Sequence, residues 1–140
     1  MKLRSILPWF LLAALVACGT TKSSSPFMVS RSSGIVFVRQ VLDGQDRLRN
    51  ATVDYGTFYI AGECLQVRLA TGEFTPILPA EVDIDPQRQT FAVGGKSLKM
   101  GVQYTLPFAN EVGSQAGEVA SAIGLPGSCS QRLLSMGLPT

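Results

Sequence analysis

Three groupings of side chains in this sequence have the types and spacing that chemistry requires. Asp83 and Asp85, with Glu81 nearby, set carboxylates at alternate positions, the oxygen donors a hard cation such as calcium would take. Gly95-Lys96-Ser97 has the order that ends a phosphate-binding loop. Ser128, Ser130 and Ser135 supply hydroxyls that Lys96 or Lys99 could activate as a Ser–Lys pair. Neighbouring residues favour a plainer reading of each. Val82 and Ile84 alternate with the carboxylates, as in a strand with one wet acidic face. Thr90 stands where a phosphate loop needs its first glycine, and β alternation rather than a helix follows Ser97. No motif joins a serine to a lysine.

The chain contains no histidine. That excludes Ser-His-Asp and Cys-His catalysis and removes the commonest transition-metal ligand. No catalytic residue, metal or cofactor is therefore expected. Tyr55, Phe58 and Tyr59 could line a ligand groove. Strand aromatics are more often core or cross-strand pairs, so the ligand-binding residues stay unassigned.

The N-terminus has the three zones of a secretory signal. Lys2 and Arg4 give a positive start, Ile6 to Ala17 is uncharged and mostly apolar, and small residues approach Cys18. Such a run is too short to cross a hydrocarbon core, which needs about 20 helical residues. Leu15-Val16-Ala17-Cys18 resembles the lipobox of bacterial lipoproteins, the substrates of lipoprotein signal peptidase. The resemblance implies cleavage after residue 17, a diacylglycerol on the Cys18 thiol and acylation of the new amine. Several acyl chains hold a protein stably where one binds only marginally. Gly19 replaces the aspartate that retains enterobacterial lipoproteins in the inner membrane. An outer-membrane address facing the periplasm is therefore implied, and Asn50-Ala51-Thr52, a glycosylation acceptor by pattern, becomes coincidental.

Cleavage also changes the composition. The precursor has 12 Lys and Arg against 10 Asp and Glu, and Lys2 and Arg4 leave with the signal, so the mature chain is neutral. No basic stripe argues for nucleic acid. With Cys18 lipidated, Cys64 and Cys129 remain as an even pair in an oxidising compartment, where a disulfide is expected. It would close a loop of about 66 residues, a stabilisation of roughly 4 kcal/mol in the chain-entropy picture. Nothing resembles Cys-x-x-Cys, so redox catalysis has no support.

Residues 19–33 hold six serines and two threonines and suit a flexible tether from lipid to domain. Phe27, Met28 and Val29 within it pack on the domain in the simplest reading. From Gly34 the pattern turns to short runs of period two. Strands are predicted over Ile35–Val38, Thr52–Ile60, Leu65–Leu69, Phe74–Leu78 and Thr90–Val93. Leu42 to Asn50 reads as an exposed charged loop or helical turn, and 83–87 as a turn-rich connection. Pro76 and Pro79 place the Phe74–Leu78 strand at an edge or end. Gly94-Gly95 predicts a hairpin turn. Even positions from Leu98 to Phe108 are apolar, which predicts one long strand, with Gly101 as a bend that lets it serve two edges. Ala116, Val119, Ala120 and Ile123 fall on one helical face, with Ser114 as N-cap and Gly124 and Pro126 as the stop.

These elements predict a single β-rich domain over 34–140, with a helix near 114–123. Its fold class is mainly β, a small OB-like barrel or curled antiparallel sheet closed by the C-terminal helix. The expected role is non-catalytic, an outer-membrane lipoprotein that binds or scaffolds a protein of the envelope, touching the membrane through the lipid on Cys18 and touching no nucleic acid. Inhibition of a periplasmic hydrolase such as lysozyme, or carriage of a small lipid or sugar, are the alternatives.

Overall fold

Residues 25–41 and 52–140 are described in a computed structural model of the chain. The lipobox tetrapeptide and the charged stretch 42–50 lie outside the described residues. The first element is a hairpin, β1 (Phe27–Ser32) and β2 (Ile35–Gln40), paired along their full length. The folded domain thus begins before Gly34 and takes in residues that composition assigned to the tether. Phe27 and Val29 pack against buried core, which gives this serine-rich segment enough apolar contact to order as a strand.

A meander follows: β3 (Val53–Ala61), β4 (Cys64–Leu69) and β5 (Gly72–Leu78). Three short strands, β6 (Val82–Asp85), β7 (Thr90–Val93) and β8 (Lys96–Lys99), form a separate antiparallel sheet. Then come β9 (Gln103–Pro107), β10 (Asn110–Glu111), helix α1 (Ala116–Ala122) and β11 (Leu133–Ser135).

Strand pairing closes a ring. β3 pairs with β4, β4 with β5, and β5 with β11, the last of these in parallel. β11 pairs antiparallel with β10. The chain beyond β11 then follows β9, where Thr105 and Thr140 exchange both backbone hydrogen bonds at 2.8 and 2.9 Å. β9 pairs with β3 and completes the circuit. This is the expected small barrel of OB-like, Greek-key character. The expected antiparallel sheet is in fact mixed, because β11 returns beside β5 in the same direction after α1, and β2 also runs parallel to its partners β4 and β5.

The barrel is filled by its own side chains. Phe58, Leu65, Val67, Phe74 and Leu106 from the walls, with Phe91 and Leu98 from the three-stranded sheet, are each at most 1% exposed. Phe58 meets Phe91 edge-on with ring centroids 4.9 Å apart. Burying each such side chain contributes about 1.5–3 kcal/mol. The small sheet therefore plugs the barrel with Val82, Ile84, Phe91, Val93 and Leu98, and 82–85 is a strand where a turn had been expected.

A second core lies outside the barrel wall. Val36, Val38, Cys64, Ile77, Ala120, Leu125, Cys129 and Leu133 bring β2, β4, β5 and the C-terminal segment together. Cys64 and Cys129 are bonded here, with Cα atoms 5.5 Å apart. β4 and β5 pair only over Val67–Leu69 and Gly72–Phe74 before they part. β2 enters the fork, pairing Val36 with Cys64 and Val38 with Ile77.

That fork corrects the reading of Pro76. β5 is an inner strand, flanked by β11 on one side and by β4 and β2 on the other. Thr75 N–H bonds to Arg132 O at 2.8 Å on the β11 side. Successive residues of a strand direct their backbone groups to opposite edges. Pro76 therefore turns its donor-less nitrogen toward the opening between β4 and β2, where no ladder bond is lost.

The long strand expected from Leu98 to Phe108 is broken at Met100–Val102 around Gly101, whose φ is +77°. Glycine adopts that conformation without a Cβ penalty. The chain leaves one sheet at β8 and joins the other at β9, so the two-edge reading holds while the single strand does not. Ser114 does not cap α1: the N-cap position is Gln115, with no side-chain bond. The C-terminus ends as expected at Gly124, with Leu125 N donating to Ala120 O at 2.9 Å and Gly124 N to Ser121 O at 3.1 Å.

Candidate functional site on the outer face of β3 and β9

The chemical groupings of the sequence are spent on structure. Asp83 and Asp85 lie on the outer face of β6, opposite buried Val82 and Ile84. Asp85 Oδ1 accepts from Gln87 N and Arg88 N at 3.2 and 3.1 Å, and Asp83 Oδ1 accepts from Ser32 Oγ at 3.4 Å. Among the described residues no three His, Cys, Asp or Glu side chains stand together as a metal site. An open depression of about 650 Å³ over this sheet is lined by Asp83, Asp85, Gln87, Thr90, Ala92 and Ser97, and both of its carboxylates are already engaged.

Gly95-Lys96-Ser97 is the exit of the β7–β8 hairpin, and Lys96 Nζ donates to Pro139 O at 2.9 Å. Ser128 Oγ donates to Glu63 Oε1 at 3.2 Å, and Ser130 Oγ donates to Glu73 O at 3.0 Å. Ser135 lies in β11. Among the described residues no hydrogen bond joins these serines to Lys96 or Lys99. Of the glycosylation pattern only Thr52 is described.

The three aromatic residues of β3 do not form one groove. Phe58 points into the barrel at 0% exposure, while Tyr55 and Tyr59 alternate with it and point out. Tyr59 is part of an outer polar row, with the Arg68 guanidinium 4.8 Å above its ring and Arg68 held on Glu73 at 2.8 Å. Burial, reinforced by a hydrogen bond to Glu73, pushes the Tyr59 hydroxyl above its ordinary pKa. The hydrogen bond from Arg68, then that from Tyr59, pulls the Glu73 carboxyl down.

Tyr55 has a different setting. On the outer face of β3 it is 57% exposed and Val53 is 54% exposed. Their cross-strand partners on β9 are Thr105 and Pro107. Thr105 spends its backbone groups on Thr140, and Pro107 O accepts from Gly137 N at 2.8 Å. Both pairs are thus of the non-hydrogen-bonded kind, in which side chains approach most closely. Phe108 follows with φ of +55° and 39% exposure. Val53, Tyr55 and Pro107 thus make a small apolar face, and Phe108 is exposed at its end, with its ring beside Gly137.

The face is rigid from behind. Gly56, Phe58 and Leu106 anchor the same two strands in the core, and the C-terminal residues pair along the far edge of β9. A rigid scaffold presenting aromatic and apolar groups is the composition of a protein-binding hot spot. The sequence pointed to Tyr55 but missed its neighbours. Val53 and Pro107 are brought together by register alone, and Phe108 is exposed at the end of β9 by a positive φ that leaves no sequence periodicity.

Comparison with models of known families, with curated proteins and with solved structures finds no match. The site therefore rests on the geometry of this chain.

Proposed function

We propose that this protein is a lipid-anchored, non-catalytic binding module of the bacterial envelope, held through Cys18 at the outer membrane and facing the periplasm. Its partner is another envelope protein, which docks on the apolar face of Val53, Tyr55, Pro107 and Phe108. The observation that carries the reading is the exposure of Val53 and Tyr55 together on the outer face of β3, with Phe108 exposed at the end of the neighbouring β9. The disulfide between Cys64 and Cys129 suits an oxidising compartment. Carriage of a small molecule inside the barrel has no room, because Phe58, Phe74 and Phe91 fill it. The outer side of β4 and β5, which open barrels of this type use for oligonucleotides and sugars, is here covered by β2 and the segment around Cys129.

A photo-crosslinking amino acid at Tyr55, in cells producing the full chain, tests the reading. One envelope protein should be trapped there, and Val53→Ser with Phe108→Ser should weaken its capture about tenfold or more. Equal trapping from a probe at Arg88, on the distant turn after β6, would sink the proposal. So would an intact mass without acyl chains on Cys18.

A further inference from the structure

The base of the β1–β2 hairpin has a surface that the binding face does not explain. Cross-strand partners share a face of a two-stranded ribbon. On one face lie Ser32 with Ile35, Ser30 with Phe37, and Met28 with Arg39. Pro26 and Val41 continue that series, with Val41 N donating to Pro26 O at 2.8 Å. Near the turn this face is core: Phe37 is 2% exposed and belongs to the barrel cluster. Toward the base the same face runs into solvent. β2 has its last pairing with β5 at Arg39 and Leu78, and beyond it the ribbon overhangs the barrel. Met28 is 38% exposed, Val41 48%, and Pro26 is exposed beside them.

Apolar side chains at an overhang, next to one arginine, are a pattern with two natural partners, a protein or a lipid surface. The covalent chain chooses between them. Seven peptide units separate Cys18 from Ser25, so no conformation can carry Ser25 further than ~25 Å from the anchor. The overhang is thus the part of the described domain that lipidation holds nearest to the bilayer. Lys22 adds a second cation within that short link. A lipid anchor is commonly joined by a second, weaker contact of basic and apolar groups with anionic headgroups.

Resting on the lipid-anchor reading, we infer that Pro26, Met28, Arg39 and Val41 form a membrane-contact patch that inserts its apolar side chains at the headgroup level of an anionic bilayer. Arg39 holds a phosphate at its edge, with Nε otherwise donating to Ser30 Oγ at a long 3.4 Å. This contact fixes how the barrel stands on the membrane, which the acyl chains on Cys18 do not.

The test uses the mature protein extracted from membranes and placed in vesicles of phosphatidylethanolamine and phosphatidylglycerol, doped with a phospholipid photoreactive in its headgroup. Intact mass first reads the acyl chains on Cys18. Illumination should then put lipid adducts on peptides containing Pro26, Met28, Arg39 and Val41. The yield should fall about tenfold or more in Met28→Ser/Val41→Ser, as expected for losing the transfer free energy of two apolar side chains that insert only in part. Acylated protein whose adducts spread evenly round the barrel, or whose yield is unchanged in the double variant, overturns the patch and leaves the anchor standing. Protein without acyl chains overturns both. The wild-type adduct map decides the matter even if the double variant fails to fold.

Discussion

Gln66 Nε2 donates to Thr75 Oγ1 at 2.9 Å where β4 and β5 separate. Both residues are buried, at 3% and 1% exposure. The pair is sealed by the segment after Cys129: Ser130 N donates to Gln66 Oε1 at 2.9 Å, and Thr75 Oγ1 donates to Ser130 O at 2.6 Å. A fork in a sheet leaves polar groups without ladder partners, and this knot supplies them. It also locates the C-terminal segment on the barrel one residue beyond the disulfide.

Gln66→Leu should destabilise the domain by about 1–3 kcal/mol, because buried Thr75 Oγ1 and half-buried Ser130 N each lose a partner. Thr75→Val should cost a similar amount. The double variant should cost less than the two together, since each removes groups the other had stranded. Urea unfolding with the disulfide intact measures all three. Strict additivity would show that the two side chains act independently.

The Cys64–Cys129 bond spans a sequence separation of 65, for which the chain-entropy relation gives roughly 4 kcal/mol. Cys64→Ala/Cys129→Ala should lose about that much, and the loss should appear in the denaturation midpoint. The knot of Gln66, Thr75 and Ser130 still holds the same segment in the reduced chain. Hydrogen exchange in the double variant should therefore rise first in α1, which meets the barrel wall through Ala120 in the core around the bond and has no part in the knot, and later in β4. Equal loosening of α1 and β4 would contradict this order.

Much of this was legible in the sequence, and the exceptions share a cause. Strands β3 and β4 follow from period-two runs because their inner residues, such as Leu65, Val67 and Leu69, face the barrel core, while β2 and β5 read as apolar runs because they lie between two cores. The disulfide followed from parity once Cys18 was set aside. Gln66 was unreadable: its alternation with Leu65 and Val67 marks it correctly as outward, yet a segment more than sixty residues away covers it. Pro76 misled for the same reason, since only the fork makes an inner proline harmless. The proposed face combines Tyr55, which the sequence singles out, with Val53 and Pro107, which are paired through long-range register. Local pattern reports which side of a strand is wet, and it is silent on what another segment later lays over it.

Tyr59 should titrate later than an ordinary tyrosine, whose pKa is about 10. Burial and the Glu73 hydrogen bond both favour its neutral form, so its pKa is raised in the folded state. Its contribution to stability is complete below the unfolded value and is lost as pH rises through the folded one. The protein should weaken in alkali for this reason, while Glu73, lowered mainly by its bond from Arg68, acts oppositely and loses its contribution as pH falls through its depressed pKa. Tyrosinate absorbance across an alkaline titration should show a late component from Tyr59. Tyr59→Phe should remove that component; its persistence would assign it to Tyr55 or Tyr104.

Gly56 is where the barrel wall has no space for a side chain. It faces inward on β3 opposite Tyr104, between Asp54 and Phe58. A Cβ at this position would lie 2.7 Å from Leu106 Cδ1 and 2.8 Å from Val67 Cγ2. Both neighbours are fully buried, so relief requires moving the core. Gly56→Ala should therefore cost about 1–3 kcal/mol, the usual range for overpacking, although alanine suits a strand better than glycine. Leu106→Val alone should cost about 0.5–1.5 kcal/mol by leaving a small void. Combined, the two changes should partly cancel, because valine withdraws the methyl that the new Cβ strikes. Denaturant unfolding of the two single variants and the double variant measures the coupling. Losses that simply add would mean that β3 shifts outward as a whole, and that the close approach to Leu106 is not what demands glycine.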